Sequence, residues 1–218
     1  MEEGNKLKKI VIFDLDGTLT NNINQSEIIY QRISERYNLE QLSKEEIRKL
    51  KSNPKLKRLF ELGIPIHKIP KMYKESREIA SEFVDESKLV PGIKELITLL
   101  NDKNIKLAIV SSNSSSNISK FLSNNDINIF SFIESQASMR GKKRKLKKLL
   151  RGNGYKPSDA IYIGDEVRDV LACKAVSLEV IAVTWGFETK SILEKSGPNY
   201  IVDSVDELSE LLLNEHKN

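Results

Sequence analysis

The sequence predicts an α/β protein: a doubly wound parallel sheet, covered by helices on both faces and interrupted by an all-helical insertion. Three observations lead there. Short apolar, β-branched runs recur along the chain, and the clearest of them stop at polar or glycine-containing turns. Stretches with helical periodicity fill the intervals between them. One long stretch, 21–89, holds helical patterns and no convincing strand.

The first run is Lys9-Ile10-Val11-Ile12-Phe13, which stops at Asp14 and Gly17 as a buried strand ending in a tight loop would. Helical patterns then follow around 25–37, 43–51, 55–62 and 68–84, punctuated by Asn53-Pro54 and Gly63-Ile64-Pro65. Pro91-Gly92-Ile93 opens the next helix, with Pro91 suited to its first turn and Ile93, Leu96, Ile97, Leu99 and Leu100 as its apolar stripe. Further strands are expected at 106–110, 160–163 and 180–183, with weaker candidates at 129–133 and 200–202. Helices are expected near 114–124, 143–151, 166–175, 189–196 and 204–214. Strands alternating with helices give a parallel sheet. The predicted organisation is therefore an α/β core at 1–20 and 90–218, and a helical domain at 21–89.

Composition narrows the class. Over 218 residues, 39% hydrophobic and 30% charged, the chain can bury one sizeable core. No apolar run approaches the roughly 18–20 residues that span a bilayer, and Glu2 and Glu3 stand where a signal peptide would be basic. Cys173 is the single cysteine, which excludes an internal disulfide and a thiolate cluster. A cytoplasmic location is the expectation. The net charge of +4 is local: 140–151 (RGKKRKLKKLLR) holds eight basic residues and no acid. Taking those eight from the 35 basic residues leaves 27 against 31 acidic ones, so a surface-wide nucleic-acid footprint is not expected. No membrane partner is expected either, and the oligomeric state has no readable signature.

The chemistry lies where strands end. Ligands of parallel sheets sit outside the carboxyl ends of the strands. The first strand ends in Asp14-Leu15-Asp16-Gly17-Thr18, two carboxylates able to reach one centre, one to attack and one to handle protons. The second ends in Ser111-Ser112-Asn113, where a hydroxyl and a following helix N-terminus suit a phosphate, although the same residues are ordinary in caps and turns. The strand at 160–163 ends in Gly164-Asp165-Glu166-Val167-Arg168-Asp169. Asp165 can complete an oxygen site for magnesium with Asp14, and Asp169 shares its face if the helix starts at once.

Together FDLDGTL at 13–19, IYIGDEVRD at 161–169 and VTWGF at 183–187 resemble the haloacid dehalogenase-like hydrolase superfamily, in its phosphatase branch with a helical cap. The resemblance is of the phosphoglycolate phosphatase-like kind. It implies a Rossmann-like core and a Mg²⁺-dependent phosphatase acting on a small phosphorylated metabolite. It further implies Asp14 as the nucleophile forming an aspartyl phosphate and Asp16 as general acid and base. Magnesium would be held by Asp14, the Asp16 carbonyl and Asp165. Ser111, with Ser112 beside it, would bind the phosphoryl group, and Asp169 would orient ligands or a lysine. That lysine falls in Gly141-Lys142-Lys143, where the GKxxxL pattern favours Lys142 and leaves Lys143 open. Asp16 separates this chain from the dehalogenases, which characteristically lack the second acid. A sugar-phosphate phosphomutase using the same core, and a non-catalytic nucleic-acid binder using 140–151, are the alternatives. His67 reads as a surface or packing residue and Cys173 as a core residue.

Overall fold

The computed structural model describes residues 8–20, 23–43, 46, 64–136 and 141–213. Six strands form one sheet: β1 (Ile10–Phe13), β2 (Lys106–Val110), β3 (Phe132–Glu134), β4 (Ala160–Gly164), β5 (Glu179–Val183) and β6 (Tyr200–Val202). Their order is β3-β2-β1-β4-β5-β6, and every neighbouring pair is parallel. The chain therefore builds outward from β1 in one direction and, after β3, crosses to build in the other. The reversal falls between β1 and β4, where a doubly wound sheet leaves a crevice at its carboxyl edge.

Among the described residues the helices are α1 (Ile23–Tyr37), α2 (Ile69–Ser81), α3 (Ile93–Asp102), α4 (Ser115–Asn124), α5 (Gly141–Gly152), α6 (Val167–Lys174), α7 (Lys190–Ser196) and α8 (Val205–Leu213). The period-2 alternation of the strands sorts the core into two layers. Val11, Phe13, Leu107, Ile109, Ile161, Ile163, Ile181 and Val183 face α3, α4 and α8, meeting Ile93, Ile97, Ile118, Phe121, Leu208 and Leu212. Ile10, Ile12, Ala108, Val110, Tyr162 and Val180 face the other way, onto Leu146, Leu149 and Leu150 of α5 and Val170 and Cys173 of α6. At about 1.5–3 kcal/mol for each fully buried large apolar side chain, these two layers hold the sheet in place. Cys173 is a buried core residue, as expected, and His67 is exposed.

Between β1 and β2 the described residues hold α1, a single 3₁₀ turn at Ile66–Lys68, α2 and another such turn at Val84–Glu86. Ile33, Ile64, Met72 and Ile79 form a third apolar cluster, with Ile29, Tyr37, Leu39 and Phe83 against it. Arg32 pairs with Glu82 and lies 5.5 Å from the Phe83 ring centroid. The two ends of the segment lie side by side. Thr20 bridges Leu89 in antiparallel fashion, and the Val90 N–H donates to the Leu19 carbonyl at 2.9 Å. The expected helices at 43–51 and 55–62 lie outside the described residues, apart from residues 43 and 46.

Three expectations shift in detail. Pro91 stands ahead of α3, because Gly92 takes a left-handed φ of +84° as its N-cap and the helix starts at Ile93. The weak strand expected at 129–133 forms as Phe132–Glu134, while Phe130 turns its ring edge-on to Phe13 in the core. α6 begins at Val167, so Asp165 precedes the helix whose first turn carries Asp169.

Candidate active site

Asp14 is the first residue past β1, and its N–H still donates to the Ile163 carbonyl at 2.9 Å. That bond ties its backbone to β4 and turns the side chain into the crevice between the two halves of the sheet. One carboxylate oxygen, Oδ1, accepts the Leu15 N–H at 2.8 Å; the other, Oδ2, accepts from Lys142 Nζ at 2.8 Å. Asp14 is buried.

Lys142 rises from the first turn of α5 and is only 1% exposed, although it sits in the most basic stretch of the chain. Its ammonium donates to Asp14 Oδ2, to Asp169 Oδ1 at 2.5 Å and to Tyr162 Oη at 2.8 Å, so all three hydrogens are used. Burial by itself would depress its pKa, but the Asp14 and Asp169 carboxylates outweigh that and hold it above the usual lysine range. Lys143 is exposed. Of the two neighbours that the pattern left open, Lys142 is the one that reaches Asp14.

Asp165 and Asp169 come from the turn after β4 and the first turn of α6. One oxygen from each of Asp14, Asp165 and Asp169 lies within 4.8 Å of the others. Asp165 Oδ1 accepts the Thr18 hydroxyl at 3.1 Å and Oδ2 accepts the Phe187 N–H at 2.8 Å. Asp169 Oδ2 accepts the Glu166 N–H at 3.3 Å, closing the N-terminal box of α6. Burial, then the charges of Glu166, Asp169 and Asp14, push Asp165 well above the usual carboxylate range. Asp169 is pushed up to about 6, chiefly by burial, with Lys142 drawing it back. Three buried carboxylates against one ammonium leave a local excess of negative charge that favours a cation. An all-carboxylate donor set suits a hard divalent ion.

Glycines make room for this cluster. At Gly17, φ is +78° and an added Cβ would stand 2.2 Å from Asp165 Oδ2; at Gly186 one would stand 2.3 Å from the same atom. VTWGF thus acts in part as a wall. The Trp185 indole N–H donates to the Thr18 carbonyl at 3.1 Å and the Gly186 backbone passes close over Asp165.

Asp16 is partly buried, and its Oδ2 accepts the Asn113 amide at 3.1 Å. Its pKa is pushed up to about 6, first by burial and then by the Asp14 charge, while Asn113 and Arg168 pull the other way. Ser111 and Ser112 are buried just past β2, and Ser111 Oγ accepts the Asn113 N–H at 3.1 Å. Because Phe13 is level with both Ile109 and Ile163, Ser111 and Asp165 each stand two residues beyond that level, on opposite sides of the Asp14 strand.

Three contributors had no role assigned from sequence. Tyr162 carried a usable signal, a phenol in a wholly buried strand that must find a partner; it accepts from Lys142 and donates to the Val110 carbonyl at 3.1 Å. Thr18 and Asn113 carried none, since both are ordinary turn residues. The rest of the basic stretch is partly spoken for: Lys145 and Lys148 both pair with Glu134, at 3.3 and 3.0 Å.

The family model described as haloacid dehalogenase-like hydrolase matches residues 11–183, from within β1 to the end of β5. The chain belongs to this family. Among curated relatives of this hydrolase is a phosphoglycolate phosphatase of Synechococcus elongatus, 26% identical over 199 residues, covering 91% of this chain and 94% of that one. Another from Haemophilus influenzae is 22% identical, covering 94% and 98%. Among solved structures, a predicted phosphatase from Clostridium acetobutylicum superposes with a TM-score of 0.80 at 26% identity, covering 96% of this hydrolase and all of that chain. CbbY from Rhodobacter sphaeroides, solved with phosphate, has a TM-score of 0.69 at 21% identity and shares the fold. No helix among the described residues is long and apolar enough to cross a membrane.

Proposed function

We propose that this hydrolase is a magnesium-dependent phosphatase that takes the phosphoryl group of a small phosphomonoester onto Asp14 and releases it to water. The observation that carries the reading is the convergence on Asp14: a buried lysine on one carboxylate oxygen and two further carboxylates within 4.8 Å. An anionic nucleophile meeting an anionic ester needs positive charge around it. Lys142 supplies one such charge from the protein.

Asp14, Asp165 and the Asp16 carbonyl would hold the magnesium, which when bound neutralises charge on the phosphoryl oxygens. Asp169 holds Lys142 against Asp14. The Ser111 and Ser112 hydroxyls at the end of β2 would bind the phosphoryl oxygens. Asp16, raised to about 6, is suited to give a proton to the leaving alcohol and later take one from water. Residues 1–20 and 90–218 would form the catalytic core, and 21–89 a cap hinged at the Thr20–Leu89 bridge that covers the leaving group. The phosphoglycolate phosphatases among the relatives make a short phosphorylated hydroxy acid the first substrate to try.

The test is phosphate release from a panel of small phosphomonoesters, with magnesium and with chelator, by wild type and Asp14→Asn. Activity should require the metal and fall by at least about 10³-fold in the variant. Activity that survives Asp14→Asn removes Asp14 from its role.

A further inference from the structure

We propose that Asn113 is a positioning residue for Asp16, fixing the orientation of its carboxyl group. The inference rests on the phosphatase reading above. Asn113 follows β2 and its side chain is held at both ends of the amide. Its Oδ1 accepts the Ser114 N–H at 2.9 Å and the Asn117 Nδ2 at 2.9 Å. A backbone N–H can only donate, so the atom facing Ser114 must be the amide oxygen. The Nδ2 is thereby turned away from these partners, and it donates to Asp16 Oδ2 at 3.1 Å.

The consequence for Asp16 is geometric. An amide N–H can only donate, so the Asp16 oxygen that meets it must accept. The bond pins Oδ2 and so sets the rotation of the whole carboxyl group. Asn117, in the first turn of α4, supports the arrangement from behind, and Ser114 caps the same helix through an Asn117 N–H bond of 3.2 Å. The start of α4 thus orients a proton carrier on the neighbouring β1 turn.

In the first half-reaction the bond between phosphorus and the leaving oxygen breaks while the bond from Asp14 to phosphorus forms. A proton from Asp16 passes to the departing alcohol, leaving Asp16 as carboxylate. In the second half-reaction water attacks phosphorus, its proton returns to Asp16, and the Asp14–phosphorus bond breaks. Both half-reactions need the Asp16 carboxyl group held towards the reacting centre, and the Asn113 amide keeps it in one orientation.

The test exploits leaving groups. The value of kcat/KM covers steps up to loss of the alcohol, so it isolates the proton donation. An alkyl phosphate such as phosphoglycolate needs that proton; p-nitrophenyl phosphate, whose leaving group is a stable phenolate, needs it far less. Asn113→Ala should lower kcat/KM about 10–100-fold for the alkyl ester, and at least tenfold less for the aryl ester. Asn113→Asp, of the same size but without the donor, should show the same split. Asn117→Ala, one bond removed, should show it in weaker form. An equal loss on both esters, or a loss confined to KM, would mean that Asn113 only binds substrate or maintains the fold, and would overturn the proposal. Wild-type protein inactive on every ester would instead sink the phosphatase reading itself, so the two failures are distinguishable.

Discussion

Replacing Lys142 with methionine is the most revealing perturbation of the site. Methionine keeps an unbranched apolar stem beneath α5 and removes only the ammonium. Asp14 and Asp169 then stay buried, at 2% and 0% exposure, without the cation that each now contacts at 2.8 and 2.5 Å. Breaking a buried pair from one side costs about 3–5 kcal/mol, since the remaining charge loses its counter-charge with no bulk water to replace it. For a chain of this size each kcal/mol moves the melting temperature by about 2–4 °C, so Lys142→Met should melt about 6–20 °C lower at pH 7.5 in chelator. The sign of the pH effect follows from Asp169, whose folded pKa of about 6 stands above the ordinary 3.8. A carboxyl raised in this way favours the native state below its unfolded pKa, and that contribution is lost as pH rises through the folded value. Without Lys142 the carboxyl is raised further. The gap between variant and wild type should therefore narrow as pH falls from 7.5 towards about 4.5, and millimolar magnesium should narrow it at pH 7.5. Calorimetric or fluorescence melts across pH, with and without metal, read both effects. A variant that melts within about 2 °C of wild type in chelator at pH 7.5, or a gap that widens on acidification, would refute the buried ion cluster.

Other outcomes follow from the same contacts. Asp16→Asn should abolish turnover of alkyl phosphates yet raise the melting temperature of the metal-free protein at neutral pH. A carboxylate shifted from 3.8 to about 6 costs at most about 3 kcal/mol there, and the amide removes that cost; a lower melting temperature would contradict the assignment. Gly17→Ala should destabilise by at least about 1–3 kcal/mol and raise the magnesium concentration needed for half-activity, because its Cβ would collide with Asp165 Oδ2 at a left-handed φ. Unchanged metal dependence would mean that Asp165 is not a ligand. Tyr162→Phe removes the acceptor of Lys142 and the donor to Val110, and should cost about 1–3 kcal/mol in a denaturant melt with a smaller loss of activity than Lys142→Met.

Most of the fold was legible in sequence because parallel strands buried on both faces write themselves as continuous apolar runs. Ile10–Phe13, Lys106–Val110 and Ala160–Gly164 each show such a run, and each ends at a polar turn that the sheet brings to one edge. The short edge strands Phe132–Glu134 and Tyr200–Val202 were weaker, since three residues carry little periodicity and an edge is half exposed. At the site, Asp14, Asp16, Asp165 and Asp169 stood out as carboxylates directly after strands. Lys142 was harder to pick, because it is one of eight basic residues in its stretch, and only packing decides between it and Lys143. Asn113, Thr18 and Tyr162 matter through partners 97, 147 and 20 residues away in sequence, and no local pattern encodes a contact of that range.

The most direct measurement is rapid acid quench of the magnesium-loaded enzyme on the millisecond scale with ³²P-labelled ester, followed by peptide mapping. The expected result is a phosphoryl group bound to the peptide that contains Asp14, formed before free phosphate and absent in chelator. Label on any other residue, or alcohol released in a burst with no protein-bound phosphoryl group, would contradict Asp14 as the nucleophile.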